Sequence, residues 1–101
     1  MDRRLELQTL LASIPGVQKV YYSPPQNIQM VFPCIVYSRS DSYTDSADNQ
    51  AYRRKKRWSV TVIDRNIDSL IPDLVENLRY ARFDRYQVVD GLHHNYFNLY
   101  F

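Results

Sequence analysis

The sequence predicts an α+β domain, an antiparallel or mixed β-sheet with two helices on one face and a long β-hairpin projecting from it. Three observations lead there. Apolar residues recur at helical spacing in two stretches only, 2–14 and 68–81. A two-residue period can be read through 34–43, 57–64 and 95–101. The 101 residues hold no repeat, linker or low-complexity tract, so one domain spanning 1–101 is expected.

The first helix rests on Leu7, Leu10, Leu11 and Ile14, which fall at i, i+3, i+4 and i+7, with Asp2 as its N-cap. Pro15 and Gly16 stop it. "VQKVYYS" follows as a strand, ended by Pro24 and Pro25, and "PPQNIQMVF" receives no assignment. In "CIVYSRSDSY" one face carries Cys34, Val36 and Ser38, and the other carries Ile35, Tyr37, Arg39, Asp41 and Tyr43. In "RWSVTVID" the apolar face is Trp58, Val60 and Val62. The turn formers of "DSADNQA" lie between the two runs, which predicts an antiparallel hairpin.

Pairing Val36 with Val62 brings two apolar positions together. Continued outward, that register sets Asp41 opposite Arg57 and Asp45 opposite Arg53. Each arm then runs about ten residues, roughly 33 Å, against a usual strand of about 5 to 6. Core residues occupy only its base, so the hairpin is expected to project as an arm over about 39–57. "DSLIPDLVENLRYA" gives the second helix, with Ile67, Leu70, Ile71, Leu74 and Leu78 on its face and Pro72 in its first turn. "YQVV" and "NYFNLYF" are closing strands joined through the Asp90-Gly91 turn of "DGLHH".

Composition narrows the function. Thirteen basic and eleven acidic side chains leave a net charge of only +2, so any basic function is local. One cysteine excludes an internal disulfide and a cysteine-built zinc site. No run approaches the ~20 apolar residues that cross a bilayer, and "MDRRLELQTLLASIPG" lacks the apolar run of a secretory signal; a soluble, cytoplasmic product without membrane contact is expected. Nine tyrosines against two glycines fit contact surfaces better than phosphate-cradling turns.

No catalytic constellation emerges. Cys34 reads as a small buried hydrophobe. His93 and His94 are adjacent, so on a strand they point to opposite faces and cannot share a metal. Asp41, Asp45 and Asp48 lack the glycine and the bidentate glutamate of a calcium loop, and pair more naturally with the basic strand. Neither a nucleophile motif nor a glycine-rich phosphate loop is present. The expectation is therefore no enzyme, no metal and no cofactor.

The basic run "RRKKR" is the sharpest electrostatic feature. On a strand Arg53, Lys55 and Arg57 face one way and Arg54 and Lys56 the other, so no single face gathers all five cations. Contact with protein is expected ahead of a nucleic-acid groove, because the acidic partner strand cancels much of the field. The rival reading is a nucleic-acid-binding module in which Tyr43, Tyr52 and Trp58 supply stacking surfaces beside the cations.

Three segments, "FPCIVYSRSD", "YRRKKRWSVTVIDRNIDSLIPD" and "HNYFNLYF", resemble the short tail-completion, or tail-terminator, proteins of long-tailed bacteriophages. The resemblance covers about residues 32–101 and includes the tip "ADNQAYRRKKR". It implies a structural virion protein of the tail and neck, made and assembled in the host cytoplasm. Such a protein forms a homo-oligomeric ring, typically a hexamer, on the last disc of the tail tube. It ends tube growth and docks the tail to the head connector. Its partners would be its own copies, the major tail-tube protein and the connector or neck proteins, with passing contact to DNA in the channel. Carried over by position, the arm from Arg39 to Arg57 would reach a neighbour. Tyr43, Tyr52 and Trp58 would be its aromatic anchors. Arg53, Arg54, Lys55, Lys56 and Arg57 would form salt links with Asp41 or Asp45. The alternative implied by related folds at the same junction is a head-tail joining, or head-closure, protein.

Overall fold

The first helix, α1 (Arg3–Ala12), forms where the apolar spacing requires it. Leu7, Leu11 and Ile14 are buried, Leu10 is half-buried, and Gly16 at φ +93° turns the chain out of the helix. The computed structural model describes residues 3–24, 28–39 and 57–101. Within them follow β1 (Lys19–Tyr22), β2 (Cys34–Arg39), β3 (Arg57–Asp64), α2 (Ile71–Glu76), β4 (Ala81–Val89) and β5 (Leu92–Tyr100). The strands make one five-stranded mixed sheet in the order β1-β2-β3-β5-β4. Only β1 and β2 run parallel.

Both helices lie on one face of this sheet. Leu7, Leu11 and Ile14 of the first helical segment and Ile71 and Val75 of α2 meet Ile35, Tyr37, Trp58, Val60, Val62, Phe97 and Leu99 in a single core. The expected α+β class is the observed one. Asp2, expected as the N-cap of α1, lies outside the described residues.

The β2–β3 register differs by one residue from the expected one. Ile35 pairs with Val62, Tyr37 with Val60 and Arg39 with Trp58, while Val36 faces Thr61. Expecting Val36 opposite Val62 put the wrong face of β2 on the core. The face carrying Ile35 and Tyr37 is the buried one, because Tyr37 is amphipathic: its ring packs inside, and its hydroxyl reaches Gln8 Oε1 on α1. On the other face Cys34 is also buried, while Val36 and Ser38 are half-buried. An Asp41–Arg57 pairing does not follow from this register, and the arm beyond Arg39, with Asp45 and Arg53, lies outside the described residues.

The second helix is shorter than its periodicity. Asp64 Oδ1 accepts from the Asn66 amide and Asn66 Oδ1 from the Asp68 amide, each at 3.0 Å. These short side chains hold 64–69 in turns before a helix can start. Ile67 and Leu70, expected on the buried face, are therefore 71% and 70% exposed. At the other end Asn77 caps the helix and Tyr80, at φ +66°, sends the chain into β4. Strand β4 begins at Ala81, five residues before the expected "YQVV". The turn to β5 is the predicted Asp90-Gly91 pair, both at positive φ (+52° and +75°), as a two-residue hairpin demands.

Candidate functional site

The described parts of β2 and β3 reach Arg39 and Arg57 side by side, and residues 40–56, outside the described residues, join these two ends in sequence. Arg39 is exposed opposite Trp58, and Arg57 is half-buried opposite Tyr100. Beneath them Tyr22, Tyr37 and Trp58 form an aromatic wall. The Tyr22–Tyr37 centroids are 5.1 Å apart, Tyr37–Trp58 6.0 Å and Tyr22–Trp58 6.3 Å, all in tilted or edge geometries that suit ring quadrupoles. The Arg4 guanidinium covers Tyr22 at 5.1 Å. The end of the sheet where residues 40–56 attach thus combines cations with aromatic surface.

Of the predicted interface residues, the structure describes Arg39, Arg57 and Trp58 and brings them together. Asp41, Tyr43, Asp45, Tyr52, Arg53, Arg54, Lys55 and Lys56 lie outside the described residues. Trp58 is corrected from a partner-facing anchor to a core residue: it is 4% exposed and belongs to the main cluster. Its alternation with Val60 and Val62 already placed it there. The ring at this end that does reach the surface is Tyr22, 41% exposed. The sequence did not single it out, because its position beside Tyr37 depends on parallel β1–β2 pairing, which no local pattern encodes.

The candidate chemical groups are dispersed. Cys34 is buried, and burial, with the Asp64 carboxylate adding to it, pushes its thiol up to about 11, so it is neutral at neutral pH. His93 and His94 lie on opposite faces as expected. His93 stacks on Tyr86 and shares a hydrogen bond with its hydroxyl, and His94 Nδ1 sits 3.1 Å from the Leu92 carbonyl. Among the described residues no three His, Cys, Asp or Glu side chains gather as a metal site. A cleft of about 370 Å³ lies between the 64–73 segment and β4–β5, bordered by Asp64, Asp68, Asp73, Tyr86 and His93. Its rim includes the exposed Ile67 and Leu70.

A second surface escaped sequence reading. Among the described strands β4 lies at the edge of the sheet beyond β5, and every residue from Arg82 to Val89 is exposed. Phe83, Tyr86 and Val88 face the same side as the core, since they pair with Phe97, Asn95 and His93. The six residues of α2 are too few to cover that far. No described helix is long and apolar enough to cross a membrane. Compared with family models, curated proteins and solved structures, the chain matches none.

Proposed function

We propose that this chain is a structural protein of a long-tailed bacteriophage that closes into a ring, of six copies, on the head-proximal end of the tail tube. There it ends tube growth and docks the tail to the head connector. The observation that carries the reading is the mixed charge of residues 40–56, which lie in sequence between Arg39 and Arg57 beside the aromatic wall. Their composition is mixed: Asp41, Asp45 and Asp48 accompany Arg53, Arg54, Lys55 and Lys56. Mixed charge fits a protein surface of both signs better than a phosphate backbone.

In this reading Tyr43 and Tyr52 anchor the segment on a neighbouring copy, and its cations meet Asp41 or Asp45 of that copy. Such a contact joins two different patches, and heterologous contacts close into rings when the rotation permits. No reaction is required; the work is done by complementary interfaces with the tube protein and the connector. The resemblance of residues 32–101 to tail-completion proteins supports the same assignment.

Electron microscopy of the protein mixed with its tail-tube protein, with a gold label at residue 1, tests it. Label at one end of closed tubes is expected. Label on connector-bearing heads alone would move the protein to the head side of the neck, as a joining protein. Binding to neither, together with salt-steep binding to DNA, would overturn the reading in favour of a nucleic-acid module.

A further inference from the structure

We infer that β4 is a self-association edge: two copies of the chain pair their β4 strands antiparallel about a two-fold axis, joining two five-stranded sheets into one of ten strands. The inference is independent of the ring reading. The two edges of the described sheet, β1 and β4, are unlike. β1 has four residues, and its Val20 carbonyl already accepts from Gln8 Nε2 at 3.4 Å. β4 has nine residues and, among the described residues, no strand on its outer side. A head-to-tail sheet of β4 on β1 therefore meets an occupied edge, whereas β4 on β4 does not.

The side chains give the second argument. Phe83, Tyr86 and Val88 are 48%, 48% and 51% exposed. With Ile67 and Leu70 at the rim of the adjoining cleft, they leave on the order of 500 Å² of apolar surface, at the upper end of what soluble monomers keep uncovered. Adding the backbone of a nine-residue strand brings the patch close to the ~800 Å² per partner of a standard interface.

The strand is also complementary to itself. The register shift between Phe83 and Arg85 makes Asp84 an extra residue, so Ala81, Phe83, Tyr86 and Val88 share one face. With the axis at Arg85, Phe83 falls opposite Tyr86 of the second copy and Ala81 opposite Val88. Apolar residues then meet apolar residues at every position on that face. The like charges at the axis are accommodated. Each Arg85 guanidinium lies over Tyr96 on the next strand inward, 4.6 Å from the ring centroid, and the bulged Asp84 of the opposing strand falls beside it.

Light scattering of the full chain at micromolar concentrations should give twice the chain mass. Arg85→Cys should form a disulfide-linked dimer on mild oxidation, because residues facing each other across an antiparallel pair have Cα atoms about 4.5 to 5.5 Å apart, within disulfide reach. Buried Cys34 does not compete, and Ala12→Cys, on α1, should cross-link at least tenfold more slowly. Val88→Lys should weaken the dimer tenfold or more while its melting curve stays cooperative. A monomer throughout this range would overturn the inference. A dimer that Arg85→Cys fails to cross-link and Val88→Lys fails to weaken would do the same. A six-copy mass without Arg85→Cys cross-linking would overturn it while supporting the ring.

Discussion

Replacing Ile35 and Val36 by alanine, one at a time, tests which face of β2 is buried. Ile35 is fully buried among core side chains opposite Val62; Val36, one residue on, is half-buried opposite Thr61. Ile35→Ala removes three carbons at about 0.8 kcal/mol each and leaves a cavity. Buried Ile→Ala changes cost about 2 to 5 kcal/mol, and a site closed by Val60, Val62 and Tyr37 has little room to collapse, so about 3 to 4 is expected. Val36→Ala removes two carbons that keep part of their water contact and should cost about 1 kcal/mol. Urea unfolding followed by tryptophan fluorescence reports both, since Trp58, the only tryptophan, lies in the same core. With an m-value of about 1 to 1.5 kcal/mol per molar for a small domain, the midpoints should separate by about 2 M. If Ile35→Ala leaves too little stability to measure, Ile35→Val should still cost about 1 kcal/mol. Equal midpoints, or a larger loss at Val36, would refute the register and restore the alternative pairing of Val36 with Val62.

Tyr37→Phe keeps the buried ring and removes the hydroxyl that donates to Gln8, so it should cost about 1 kcal/mol and loosen α1 from β2, read as faster hydrogen exchange in α1. Cys34 should resist thiol reagents at neutral pH until the chain unfolds. With its thiol raised to about 11, the folded state keeps a proton that the unfolded chain releases above the usual thiol range. Stability from this group is therefore complete below about pH 8.5 and is lost as pH rises toward 11, by on the order of 2 kcal/mol. Cys34→Ala should remove that part of the alkaline slope, and an unchanged slope would exclude the group as its cause. Gly91→Ala should cost about 1 kcal/mol in the same urea titration. An added Cβ meets nothing within 4 Å there, so the loss would come from backbone strain at φ +75° alone.

The elements legible in the sequence were those whose pattern is local. β3 was readable end to end because Trp58, Val60 and Val62 alternate without interruption, and the Asp90-Gly91 turn because only such residues adopt two consecutive positive φ angles readily. The readings that failed depended on context. Ile67 and Leu70 keep helical spacing with Ile71 and Leu74, yet side-chain capture of backbone amides by Asp64 and Asn66 holds them in turns. "ARFDR" reads as polar, with a period broken at Asp84, but β5 pairs with Ala81, Arg82, Phe83 and Arg85 and the break is absorbed as a bulge at Asp84. In β2 both faces carry apolar residues, so alternation alone could not choose the register; the choice falls to Tyr37 and its bond to α1. The candidate surfaces divide the same way: cations at Arg39 and Arg57 are visible as letters, whereas Tyr22 and the β4 edge acquire meaning only from strand order.

The strand order also separates the two proposed contacts. Neighbours in a ring of more than two copies are related by less than half a turn, so a two-fold β4 pairing cannot be the ring contact. Residues 40–56 are joined in sequence to the Arg39 and Arg57 ends of β2 and β3, whereas β4 lies beyond β5 at the edge of the described sheet. Deleting residues 42–54 leaves 40, 41, 55 and 56 between Arg39 and Arg57, which is enough for a hairpin connection. The Arg39–Trp58 pairing and everything inward of it need not change. That variant should keep a cooperative melt and its dimer mass, and fail to cap tail tubes. Val88→Lys should do the reverse, losing the dimer while capping normally. If the deletion variant caps tubes as well as the full chain, the 40–56 connection has no part in the ring. If Val88→Lys loses both activities, the β4 edge is itself part of the ring contact, and the two surfaces are one.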